Sequence, residues 1–155
     1  MKRALPLLLG LVLSGCSGHG ADGIAKPPPM DFSHLVRPAT PNSALAAPQD
    51  LSPTPDIVTR RYDVPPATLY AAVTRVALAQ PRTYLHVAYD DRLEAHFVAR
   101  SRMLNFPDLI ATHITPDGAL VLFSRSVYGQ SDLGVNRKRL AAWLAALDAD
   151  LATHS

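Results

Sequence analysis

Cysteine is almost missing from this chain: its 155 residues hold one, Cys16, so no disulfide can form within it. The fold must therefore rest on an ordinary packed core, even in a compartment that would permit disulfides. Glutamate is as scarce, with Glu94 alone, and the aspartates are scattered, Asp90 and Asp91 adjoining only at a predicted turn. Catalytic signatures are lacking too. There is no Gly-x-Ser-x-Gly elbow, no phosphate-binding glycine loop, no His-Glu-x-x-His pair, and beyond Cys16 no thiol to act as nucleophile. The chain is therefore expected to be no enzyme and to carry no cofactor. The longest apolar run near the front, Ala4 to Leu13, has ten residues, half of what a membrane-spanning helix requires.

That short run has another use. Met1-Lys2-Arg3 is basic, the apolar run follows, and Leu13-Ser14-Gly15-Cys16 closes it with small residues before a cysteine. This is the layout of a secretory signal peptide over residues 1–15 with a lipid-attachment box. Cys16 then becomes the first residue of the mature chain and its site of acylation, and each buried methylene of the acyl chains contributes about 0.8 kcal/mol of membrane affinity. Ser17 follows where an aspartate would signal retention at the inner membrane, so the expected location is the outer membrane, facing the periplasm. Losing Lys2 and Arg3 lowers Lys+Arg from 15 to 13, equal to the 13 Asp+Glu, so the net charge of +2 belongs to the signal. A balanced mature chain lacks the basic stripe on which nucleic-acid binding relies.

Proline divides the remainder. Ten of the 14 prolines lie between Pro27 and Pro66, so residues 16–54 read as a lipidated cysteine with a disordered tether and extended lead-in. Residues 55–155 are left as one globular domain, long enough for a single core. Within it, Asp56–Val64 alternates as a strand. Pro65-Pro66 opens a helix with Leu69, Tyr70, Val73, Val76 and Ala77 on one face. Thr83–Asp90 and Leu93–Ser101 form a hairpin, with Leu85, Val87 and Tyr89 sharing a face with Ala95, Phe97 and Ala99, and His86 opposite His96. Asp108–Thr115 and Ala119–Val127 form a second around Pro116-Asp117-Gly118, a type I turn followed by a left-handed residue. Leu133 to about Ala152 is a helix with Leu140, Trp143, Leu144, Leu147 and Leu151 at helical spacing. The order β-α-β-β-β-β-α predicts an α+β domain, a mostly antiparallel sheet of about five strands with two helices on one face.

One stretch stands out, Ser124-Arg125-Ser126 through Gly129 to Ser131-Asp132-Leu133-Gly134-Val135-Asn136-Arg137-Lys138-Arg139. It resembles the signature of domain-of-unknown-function family 1499. Arg37-Pro38-Ala39-Thr40-Pro41-Asn42 resembles that family's N-terminal proline-asparagine segment, and Ser101-Arg102 with Phe106-Pro107-Asp108 its middle. The resemblance covers about residues 32–147 and implies an architecture and a motif, with no reaction attached.

Physically the stretch poses a puzzle, since cations are disfavoured at the amide-rich start of a helix. Two arrangements would resolve it. In the first it is a structural corner, where Ser131 or Asp132 caps the helix, Gly134 supplies backbone freedom, and Asp132 pairs with Arg137 or Arg125. In the second, the free amides with Arg125, Asn136, Arg137 and Arg139 form a pocket for a phosphate or carboxylate. His86, His96 and His113 lie on neighbouring strands, but isolated strand histidines usually bond to water or a neighbour, and no metal ligand set is assigned. The expected role is a membrane-anchored envelope module that binds or supports, its partner an envelope protein or an anionic or lipidic small molecule. A lipid in a groove between helices and sheet is the alternative, and an uncharacterised hydrolase a further one.

Overall fold

In the computed structural model, which describes residues 18–154, six strands and two long helices follow one another. They are β1 (Ser43–Ala47), β2 (Ile57–Val58), α1 (Pro66–Ala79), β3 (Thr83–Tyr89), β4 (Glu94–Arg100), β5 (Pro107–Ile114), β6 (Leu120–Ser126) and α2 (Val135–Thr153). The strands make one sheet in the order β2-β1-β6-β5-β4-β3, antiparallel except for the β1–β2 pair. The α+β class is as expected, with one strand more. No helix among the described residues is long and apolar enough to cross a membrane. Cys16 and the signal segment lie outside the described residues.

The helices cover one sheet face. α1 buries Leu69, Ala72, Val73, Val76 and Ala77, and α2 buries Leu140, Trp143, Leu147 and Leu151, against Phe97, Ile110, Leu120 and Leu122. The Trp143 ring stands edge-on to Phe97, centroids 5.8 Å apart at 86°, an arrangement that adds quadrupole attraction to area burial. Trp143, Phe97, Leu69 and Leu140 are almost wholly buried, so the helix–sheet interface is filled where the alternative reading placed a lipid groove.

Three expectations are corrected. The strand predicted over Asp56–Val64 shrinks to Ile57–Val58, and its place in the sheet is taken by β1, from the segment read as a tether. β1 pairs with β6 and β2, with Ala44, Leu45, Ala46 and Ala47 all buried. An inner strand covered on both faces shows no polar alternation, which is why SALAA between Pro41 and Pro48 reads as linker. Folded structure therefore begins well before residue 55.

The first hairpin is the second correction. Leu85 pairs with Phe97, but Val87 pairs with His96 and Tyr89 with Glu94, because His86 is an extra residue in β3. Such a bulge shifts the alternation by one. Val87 and Tyr89 thereby move to the face opposite the helices, and His86 no longer stands across from His96. The second hairpin has the expected turn, with Gly118 at φ +82 and its amide donating to Thr115 O at 2.8 Å.

The third concerns the proline-rich lead-in, which lies along the sheet as a strap. Apart from the turn bonds of Asp22 N to His19 O and Ile24 N to Ala21 O (3.0 Å each), its carbonyls bond side chains of the sheet. Asn105 donates to Gly18 O (2.9 Å), Arg100 to Gly20 O and Asp22 O (2.8 Å each), His86 to Ala25 O (3.0 Å) and Tyr89 to Pro27 O (2.6 Å). Beyond the strap, Phe32 and Leu35 close a second core with Leu45, Ala47, Ala111, Val121 and Phe123.

Candidate functional site

The start of α2 is built on Asp132 and Asn136. Leu133 and Gly134 both take positive φ, +53 and +79, which turns the chain so that the Asp132 carboxylate faces the helix. Asp132 accepts from the amides of Gly134 (3.0 Å) and Asn136 (2.7 Å) and from the Asn136 side chain (2.8 Å). Partial burial opposes that carboxylate's charge, but the amides of Asn136 and Gly134 outweigh it and hold its pKa below the usual aspartate value. Asp132 forms an ion pair with neither Arg137 nor Arg125 among the described residues. Ser131 accepts from the Leu133 amide at 3.3 Å and is exposed.

Asn136, fully buried, is the hub. Its Oδ1 accepts from Ser124 Oγ (2.5 Å) and Arg139 Nη1 (2.7 Å), and its Nδ2 faces Asn42 O (3.0 Å) and Ser126 Oγ (3.0 Å) besides Asp132. Asn42 in turn donates to Gly129 O at 2.9 Å, and its own carbonyl accepts from Ser126 N at 2.9 Å. Arg139 points inward to Asp108 at 2.6 Å, both side chains largely buried. The proline-asparagine segment, the Pro107-Asp108 segment and the C-terminal motif thus meet in one hydrogen-bonded cluster.

The arginines expected to converge are separated. Arg139 is committed to the helix side of the sheet, while Arg125, next to Ser124 along β6, faces the strap side. Arg137 and Lys138 stay exposed on α2. On the strap side, Arg125 borders a cavity of about 220 Å³. Pro27 to Met30 roof it, and Leu109, Ala111, Phe123 and His96 line it from the sheet. Arg125 has no ion-pair or hydrogen-bond partner among the described residues.

The family whose model describes a protein of unknown function (DUF1499) matches residues 36–147 of this chain. The chain belongs to that family. No curated protein and no solved structure matches it. The match starts ahead of β1 and ends within α2, so Asn42, Asp108, Asp132, Asn136 and Arg139 all lie inside the DUF1499 domain, whereas the strap lies before it.

The chemistry beside the cavity was not legible in the sequence. Glu94, completely buried, accepts from Met30 N (2.7 Å), Arg92 Nε (3.1 Å) and His96 Nε2 (2.6 Å). Arg92 also donates to Met30 O at 3.1 Å. The only signal was the rarity of glutamate itself. The three strand histidines have separate tasks: His86 holds the strap, His96 is bonded to Glu94, and His113 stacks on Phe32 at 4.8 Å. Burial lowers the pKa of His113.

Proposed function

We propose that this DUF1499 protein is an envelope lipoprotein, held by acylated Cys16 in the outer membrane and facing the periplasm, whose domain is a non-catalytic binding module for a small anionic amphiphile. The observation that carries the binding role is the cavity beneath the strap, apolar over most of its wall and bordered by a guanidinium, Arg125, with no partner among the described residues. A half-buried cation without a counterion favours an anion. Size narrows the class. An apolar cavity of roughly 150 Å³ takes up benzene, and drug-sized ligands need about 300 Å³ or more. A space of about 220 Å³ therefore suits one ring or one short acyl chain and is too small for a two-chain lipid.

The start of α2 acts in this reading as the structural corner, since Arg139 is already neutralised by Asp108. In this reading the Glu94–His96 pair serves the strap, since Glu94 also accepts from Met30 N at 2.7 Å and from Arg92 at 3.1 Å. The test is calorimetric titration of the purified protein with octanoate and with octanol. Octanoate should bind, and Arg125→Ala should lose that binding with Tm nearly unchanged. No heat with octanoate, or equal binding by octanol and octanoate, would remove the anion from the proposal.

A further inference from the structure

The end of the sheet from which the strap emerges differs from the other end. Pairing of Arg100 with Pro107, Asp108 with Ser126, Thr83 with Ala99 and Ser43 with Arg125 places the β4–β5 loop, the β6–α2 loop and the start of β3 together. The β4–β5 loop is closed at its base by Ser101 N to Phe106 O (2.9 Å) and Phe106 N to Ser101 Oγ (2.9 Å). At its tip Met103 and Leu104 are 91% and 61% exposed. Leu133 and Val135, at the start of α2, are 87% and 47% exposed on the same end. Isolated exposed apolar residues are ordinary, and Val36, Val58, Leu78 and Leu85 are such residues elsewhere, but Met103, Leu104, Leu133 and Val135 gather at one end and include the two most exposed of all among the described residues, which calls for a cause.

Charge follows the same division. Among the described residues, Arg82, Arg102, Arg137 and Lys138 are exposed here, against the exposed carboxylate of Asp22 and the capping carboxylate of Asp132. The hairpin turns at the opposite end carry Asp90, Asp91 and Asp117, where Arg92 is paired with Glu94 and Arg61 with Asp117.

The third observation is where the chain leaves. Asn105, on the loop next to Leu104, holds Gly18 O at 2.9 Å, and Arg82 holds Asn105 Oδ1. Gly18 follows Cys16 by two residues, a span of at most about 7 Å. We propose that this end rests on an anionic bilayer surface, with Met103 and Leu104 inserted among the headgroups and Arg102, Arg137 and Lys138 against lipid phosphates. The inference rests on the lipid-anchor reading of Cys16. The strap then serves as a short clamp that brings the loop down to the membrane, where a free proline-rich chain would hold the domain tens of ångströms away. It also accounts for cations at a helix start whose amides are already capped by Asp132.

The test uses the processed protein reconstituted in vesicles of phosphatidylethanolamine and phosphatidylglycerol with brominated acyl chains. Tryptophan is placed at the tip, Leu104→Trp, or at the far end, Asp91→Trp. Trp143 is buried in the core and serves as a constant background. Leu104→Trp should lose at least about half of its emission to bromine, as an interfacially inserted side chain would, and Asp91→Trp should lose none. Adding Arg102→Glu, Arg137→Glu and Lys138→Glu to Leu104→Trp should cut that quenching several-fold. Mass spectrometry of Cys16 in the same sample separates the two ideas. Acylated protein with an unquenched Leu104→Trp overturns the docking and leaves the anchor standing. Cys16 without acyl chains overturns both. Equal quenching at the two ends, or protection of Leu104→Trp only when a second protein is added, also overturns it. Quenching unchanged by the charge reversals overturns the anionic surface.

Discussion

Replacing Asn136 should cost far more than the loss of one polar side chain on a helix. Its amide joins β1, β6, α2 and the helix-capping loop through contacts with Asn42 O, Ser124, Ser126, Asp132 and Arg139, all with no exposure to solvent. Asn136→Ala leaves Ser124, Ser126 and Arg139 each one partner short. A buried group left unsatisfied costs about 1–3 kcal/mol. The lower end applies here, because Arg139 keeps Asp108 and Asn42 O keeps the Ser126 amide. The expected loss is about 3 kcal/mol, a fall in Tm of roughly 10 °C for a domain of this size. Asn136→Asp separates hydrogen bonding from shape. It turns the donor facing Asp132, 2.8 Å away, into a second carboxylate. Two such carboxylates cannot both ionise, so the pair holds a proton the unfolded chain lacks, and its folded-state pKa is raised. The penalty is therefore full at neutral pH and relieved as pH falls through that raised value. Measured by urea unfolding against wild type, Asn136→Asp should recover part of its loss between about pH 7 and 5, and Asn136→Ala should not. Wild-type Asp132, with its lowered pKa, does not titrate in that window. A loss under about 1 kcal/mol for Asn136→Ala, or identical pH profiles for the two variants, would refute the hub argument.

Two further outcomes follow from the buried charges. Asp108→Ala should destabilise by about 3 kcal/mol, since it strands Arg139 in a largely buried setting, while Asp108→Ala with Arg139→Leu should cost less than that single change; chemical denaturation of both variants checks the order. Glu94→Ala should loosen the Met30 end of the strap without unfolding the domain, because Met30 N, Arg92 and His96 all lose the same acceptor. Hydrogen exchange should then show faster labelling of residues 24–31 with β4 to β6 still protected, and unchanged labelling of the strap would contradict it.

What could be read from the residues depended on how each was covered. Both helices and the second hairpin were legible, because one face of each is apolar and the other polar, and because Pro116-Asp117-Gly118 has turn chemistry of its own. β1 was not, since burial on both faces by small residues leaves no period to detect. The bulge at His86 was not, because nothing local distinguishes a strand with one extra residue. At the site, spacing along the chain grouped Arg125 with the residues at the start of α2 but could not show that Arg125 and Arg139 leave opposite faces of the sheet. Asn42 was visible only as part of a family segment; its partner stands 94 positions away.

The cations at the helix start divide by direction. Arg139, one turn in, points at the sheet and is neutralised by Asp108, so its charge serves the fold. Arg137 and Lys138 point outward and find no carboxylate among the described residues. Their helix amides are not what repels them, because Asp132 already occupies those amides with an opposite charge. A capped helix start is thus close to electrically neutral, and it can present two cations to solvent at little cost. The remaining charge is then available to something outside the chain, and the neighbouring apolar tip of Met103 and Leu104 argues that this is a surface with both phosphate and hydrocarbon. A soluble polyanion would satisfy the cations but leave the tip in water. An anionic bilayer satisfies both at once, within two residues of the proposed anchor.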